Sequence, residues 1–379
     1  MKPRFLVGVA ALIVVVAALI AAVYFGDRPR AGKDRQVVYR IGADITLTGR
    51  FAYFGGQLQK GLLLAQDEAK NSNPRVEFLF EDNQHEAKRA VAIFERFAAV
   101  DNVSAVISLY SPMSLAVRDL AARYNIPLIT TYTTANDMTA GSQWVFRDFP
   151  SMQDQAPAMA EFGFSDLGLR RAMCIGFNTD FGTEGCELFR GTFTRLGGEM
   201  VAEPELMEMG QQDVRDSIVR SLSSSPDGVF LVLSAQTLAE SVKKLREQGF
   251  RGAILGVIMF DSPEVWKAAG QAAEGAYFPS VTFDLRGSAL GRGFSEAYRA
   301  RFSEEPDYVA VYGYTIGKYL IEAVASSKGD RNKIRTTLSA LDLRTIRGQV
   351  VVNARREISS PLAIYTRREE NVEFVKAIP

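Results

Sequence analysis

From Val37 onward the chain alternates short apolar runs with stretches of helical period. Val38–Ile45, Val76–Glu81, Ala105–Leu109 and Pro127–Thr130 are short and apolar, which predicts strands. Between them, Gln57–Lys70 sets Leu58, Leu62, Ala65 and Ala69 on one helical face. Glu86–Val100 does the same with Ala90, Phe94, Phe97 and Ala98, and Ser114–Tyr124 follows the third strand. Strand, helix, strand in succession predicts right-handed crossovers and a parallel sheet.

The order then repeats. Ala172–Phe177, Met200–Leu206, Gly228–Leu233 and Ala253–Val257 read as strands, with helices at Gly182–Leu196 and Thr237–Gln248. Two successive copies of one pattern predict two similar lobes. Past Phe283 the pattern changes. Phe294–Phe302, Val309–Ser326 and Lys333–Leu341 are helical, and Gln349–Val352, Leu362–Tyr365 and Val372–Val375 suggest a C-terminal antiparallel addition.

The first residues are of another kind. Phe5–Phe25 carries no charge and, at ~1.5 Å per residue, is long enough to span the roughly 30 Å hydrocarbon core of a bilayer. It exceeds a signal-peptide core and ends without a small-x-small cleavage site, so an uncleaved signal anchor is the expectation, with a cleaved signal as the alternative. No cysteine follows, which excludes a lipoprotein anchor. Either reading exports the rest and makes residues 27–35 a tether. Cys174 and Cys186 fall on a strand and the following helix, and the expectation is two separate buried thiols.

Composition narrows the function. Forty-four basic residues balance forty-four acidic ones, so no electrostatic footprint for nucleic acid exists. With one histidine, His85, and two cysteines, a catalytic zinc site is not expected. No nucleophile, base and orienting group can be named together, so the chain is read as a non-enzyme without a cofactor. Gly313–Tyr319 only echoes a phosphate loop, because its spacing is one short and Tyr319 replaces the hydroxyl. His85 is expected to be a solvated loop residue.

In doubly wound sheets ligands bind beyond the carboxyl ends of the strands. After the first strand come Thr46–Gly56, with hydroxyls, glycines and three aromatics. After the third comes Ser111-Pro112-Met113-Ser114, and after the fourth Thr130–Thr134. Hydroxyls and free N–H groups at helix N-termini suit an anion without a basic residue. Singly, each serine or threonine is a cap or a turn residue. Together at one sheet edge they point to a carboxylate site.

Ile41–Gly49 running into Phe54-Gly55, Gly61–Ala65, Glu81-Asp82-Asn83, Val106–Ser111, Ile126–Thr130, Asp180-Phe181-Gly182 and Tyr312-Gly313-Tyr314 give the chain a resemblance. It resembles the type I periplasmic solute-binding proteins of the leucine/isoleucine/valine group, which serve ABC transporters. The resemblance covers residues 37–379. It implies two doubly wound parallel-sheet α/β lobes joined by a three-strand hinge, preceded here by the N-terminal transmembrane segment. Lobe 1 would comprise residues 36–148 with 284–345, and lobe 2 residues 149–283 with 346–379, after a leader of residues 1–35. Crossings are expected near Asp148–Met152, Phe278–Phe283 and Leu343–Gly348. The implied function is capture of a small polar solute, amino acid-like or an amide or carboxylate, by hinge closure on the periplasmic side of the inner membrane, with a transporter permease as partner. A membrane-anchored sensor on the same fold is the alternative.

The resemblance also implies a site. Ser111 or Ser114 and Thr133-Thr134 would hold a ligand carboxylate, Phe54 would cover the side chain, and Phe181 would face it across the cleft. Ser234 stands where the group has an aromatic. Ile258 stands at the position of the acid that pairs with a ligand ammonium, and Asp261 follows three residues later. A buried ammonium without a carboxylate is costly. So either Asp261 takes that role or the ligand is not a standard α-amino acid.

Overall fold

The structure is a computed structural model that describes residues 37–378 except 212, 284 and 370. The expected membrane segment Phe5–Phe25 lies outside the described residues. Among the described residues no helix is long and apolar enough to cross a membrane.

Five strands build the first sheet: β1 (Val38–Ile45), β2 (Arg75–Asp82), β3 (Ala105–Leu109), β4 (Leu128–Thr131) and β5 (Val145–Arg147). Their order is β2-β1-β3-β4-β5, all parallel. β3 and β4 are buried throughout, as expected of strands covered on both faces by crossover helices. Those helices are Ala52–Glu68, Ala87–Ala99 and Ser111–Tyr124.

After β5 the chain enters a second sheet. Its parallel part is β6 (Arg171–Phe177), β7 (Glu199–Met200), β8 (Glu205–Met207), β9 (Gly228–Val232), β10 (Ala253–Gly256) and β11 (Tyr277–Val281). The expected strand Met200–Leu206 is therefore two short ones, interrupted where Pro204 lacks the N–H a ladder needs. The chain then returns to the first sheet's side through the helices Ala289–Phe302, Tyr308–Ser326 and Arg331–Ser339.

Leu343–Gly348, expected as a crossing, lies in a small antiparallel sheet of β12 (Asp342–Thr345), β13 (Gly348–Val352) and β14 (Ile358–Ser359). The last passage into the second sheet comes after β14. There β15 (Leu362–Arg368) pairs antiparallel with β11, and β16 (Asn371–Ile378) forms the edge.

The long apolar helix Tyr308–Ser326 packs on Ala52–Glu68 at very close range. A side chain on Gly61 would stand 2.3 Å from the Ala310 carbonyl oxygen, and one on Gly313 would stand 2.3 Å from that of Leu58. The glycines that echo a phosphate loop thus serve helix–helix approach.

Cys174 and Cys186 are bonded as a disulfide, which corrects the expectation of separate thiols. The helix Asp180–Arg195 packs directly on β6, and the two Cα atoms come within 5.6 Å, inside bridging range.

Candidate functional site

A cavity of about 310 Å³ lies between the carboxyl ends of the two sheets. From the first sheet's loops it is lined by Phe51, Phe54, His85, Tyr110, Ser111 and Thr134, and from the second sheet's by Phe177, Phe181, Glu184, Ser234 and Met259. The position follows from the topology, since loops beyond parallel strands converge there.

Four of the expected residues from the resemblance line it at once: Phe54, Ser111, Thr134 and Phe181, with Ser234 on the far wall. Ser111 opens the helix Ser111–Tyr124, and its hydroxyl accepts the Thr134 N–H at 3.2 Å. Thr133 and Ser114 are placed one layer behind. Both are fully buried, and the Thr133 hydroxyl donates to Ser114 Oγ at 3.2 Å. They support the turn and do not line the cavity.

Asp261 is not in this cavity. The 3-10 turn Ile258–Asp261 carries Met259 to the cavity and points Asp261 elsewhere, where it accepts the Ser280 hydroxyl. The acids that line the cavity are Asp180 and Glu184, at the start of the helix Asp180–Arg195. Burial raises the Glu184 carboxyl above its ordinary value. Among the described residues no Lys or Arg lines the cavity.

Six aromatic rings line the wall, and of these Tyr110, Tyr132 and Phe177 are not anticipated from the sequence. Tyr110 stands edge-on to Phe51 and Phe54, at 6.0 and 6.3 Å between ring centroids, and Phe54 meets Tyr132 at 5.5 Å. The Tyr110 hydroxyl donates to the Phe51 carbonyl at 3.1 Å, tying the loop after β1 to the end of β3. Tyr110 itself has φ 72°, a strained value for a non-glycine residue, held by its N–H on the Thr131 carbonyl.

His85 corrects another expectation. It is half-buried in the wall, stacked on Phe51 at 4.1 Å and edge-on to Tyr110 at 5.1 Å. Burial, with the Arg50 guanidinium nearby, holds its imidazole below the usual range. A buried network sets its loop. Asn83 Nδ2 donates to Asp44 at 2.9 Å, and Asn83 Oδ1 accepts both the Thr46 hydroxyl and the His85 N–H, at 2.7 and 2.9 Å. Ser108 adds a bond to Asp44 at 3.2 Å. The Glu81-Asp82-Asn83 segment thus joins β1, β2 and β3 and turns the imidazole inward.

Hydroxyls and a helix N-terminus at one end suit a carboxylate. A ring-lined body suits an apolar group.

The chain matches the model of the periplasmic binding protein family over residues 38–369. The Leu/Ile/Val-binding protein homolog 2 of Brucella abortus (strain 2308) is 20% identical over 341 residues, 87% of this chain and 90% of the relative. A leucine binding protein from Thermotoga maritima superposes with a TM-score of 0.82 at 24% identity, over 90% of this chain and 98% of that one. A solute binding protein of an ABC transporter from R. palustris, in complex with benzoate, gives a TM-score of 0.82 at 19% identity, over 90% and 96%.

Proposed function

This chain belongs to the periplasmic binding protein family, and from that premise we propose that it captures a small organic carboxylate with a flat apolar body for an ABC transporter. The observation that carries this reading is one cavity with Ser111 and Thr134 at a helix N-terminus on one side and rings from both sheets around it. The R. palustris relative with benzoate has such a ligand, and that relative's transporter role favours transport over sensing. Binding, with no chemistry, is the activity.

The rest of the reading goes with it. With the last passage after β14, lobe 1 is residues 37–148 with 285–359 and lobe 2 residues 149–283 with 360–378, and the solute is captured outside the cytoplasm and handed to a permease. The lobes close about the three passages of chain between the sheets. Small-angle scattering at ligand saturation tests closure, with a smaller radius of gyration expected and an unchanged one against it.

A second reading is an α-amino acid. The leucine-group relatives favour it, and here Glu184 or Asp180 would take the ammonium. A thermal-shift panel separates the two, because a ligand specific to the native state raises its melting temperature. Benzoates and aryl acids should shift it, and their amides and methyl esters should not. A panel in which only neutral solutes shift the protein would refute both readings.

A further inference from the structure

Beside the first cavity lies a second, of about 570 Å³. The two share a partition. Phe54 lines the first and its neighbour Tyr53 the second, with ring centroids 5.5 Å apart. Met259 and Asp261 come from one turn and line the first and second respectively. Tyr132 and Tyr308 face the two sides with ring centroids 6.0 Å apart.

The second cavity has a different chemistry. Asp261 and Asp307 both line it, together with Lys267 and Arg367, the latter lying over the Trp266 ring at 4.9 Å. Asp307 caps the helix Tyr308–Ser326 through the Ala310 N–H at 2.8 Å and accepts the Tyr53 hydroxyl at 2.6 Å. Asp261 receives the Ser280 hydroxyl. Burial raises both carboxyls, and the charge of Asp307 raises Asp261 further. The outer acids are already matched, Glu304 by Lys60 at 2.6 Å and Glu305 by Arg299 at 3.2 Å.

Two deeply buried donors on this wall are short of partners. The Trp266 indole nitrogen makes no hydrogen bond, and the Tyr308 hydroxyl has only the equally buried Tyr132 hydroxyl beside it, although Tyr308 and Trp266 are only 1% and 5% exposed. Buried polar atoms are nearly always paired, so the unpaired Trp266 N–H beside the two inner acids marks a place for a missing partner.

We infer that the second cavity is a binding site for a small organic ammonium carrying an acceptor oxygen on its tail, separate from the carboxylate solute. The ammonium N–H groups donate to Asp261, Asp307 and the Tyr308 oxygen. The faces of Tyr53 and Tyr308 suit a cation, and the Trp266 N–H donates to the tail oxygen.

The test is calorimetric titration of the full-length protein with 4-aminobutan-1-ol, 1,4-butanediol as its neutral counterpart, and 4-hydroxybutyrate as its anion. The ammonium should bind and the diol should not. Asp261→Asn and Tyr308→Phe should each weaken the ammonium at least tenfold, while Thr134→Val in the first cavity leaves it unchanged. If Asp261→Asn does not fold, Tyr308→Phe alone decides. Absence of ammonium binding to the wild type, equal binding by Tyr308→Phe, or loss of binding in Thr134→Val overturns the inference. The Thr134→Val outcome would place the amine in the first cavity, and it leaves the carboxylate reading to its own panel.

Discussion

Arg347 sets both terminal guanidinium nitrogens on the Asp148 carboxylate at 2.8 Å, and solvent reaches neither side chain. Asp148 follows β5, where the chain first leaves the first sheet, and Arg347 sits in the turn between β12 and β13. The Tyr319 hydroxyl donates to the same carboxylate at 3.0 Å, and Arg347 lies over Tyr312 at 4.2 Å. Burial alone would favour a neutral guanidine. Asp148 outweighs it and holds Arg347 above its ordinary range.

Removing one member leaves a buried unpaired charge, which is destabilising by about 3–5 kcal/mol. Arg347→Met and Asp148→Asn should each lower the unfolding free energy by about that much, and the double variant by less than the sum. Urea denaturation checks it. Single losses below about 1 kcal/mol would show that the pair is not holding the passages.

The Cys174–Cys186 bridge closes a short loop with a sequence separation of 12. In the chain-entropy account, closing such a loop is worth about 3 kcal/mol. Replacing both cysteines by alanine should lower stability by about 2–3 kcal/mol without reductant, and by nothing further with it. Thiol titration of the unreduced, denatured wild type should find none.

Two buried carboxyls give stability a pH slope. Burial raises Asp44 from 3.8 to about 7, and Asp261 from 3.8 to about 7. Between those values the native state keeps protons that the unfolded chain releases, so stability is full below the lower value and is lost as pH rises through the upper. Each group contributes at most about 1.4 kcal/mol per pH unit. Denaturation between about pH 5 and about pH 8 should show stability falling with pH, and Asp44→Asn should flatten the slope. A slope unchanged in Asp44→Asn contradicts the assignment.

Glu184 separates the two ligand readings. A simple acid feels only repulsion from it, so Glu184→Gln should bind aryl acids as well as the wild type or better. A drop of about tenfold, or ~1.4 kcal/mol, would instead show an ammonium resting on Glu184 and favour the amino acid.

The βαβ order was legible because each buried strand is a short apolar run and each covering helix keeps its period. The start of the first helix was not. Gly55 and Gly56 read as loop residues, yet the helix begins at Ala52. The helix Met152–Glu161 was missed because Pro157 interrupts its pattern, while its start rests on a Ser151–Asp154 capping box. In the site, Ser111 and Thr134 were visible as hydroxyls beside a predicted helix start. His85 was not, because only the tertiary network through Asn83 and Asp44 turns it inward. Asp261 was misplaced because one 3-10 turn separates its direction from that of Met259.

The central claim is that Ser111 and Thr134 hold a ligand carboxylate. Calorimetry with the aryl acid that most stabilises the protein, on wild type and Thr134→Val, tests it directly. A charge-assisted hydrogen bond is worth about 1.5–3 kcal/mol, so affinity should fall about tenfold or more, while the uncharged amide of the same acid binds both proteins equally weakly. If Thr134→Val binds the acid as tightly as the wild type, the carboxylate is held elsewhere and the account is wrong.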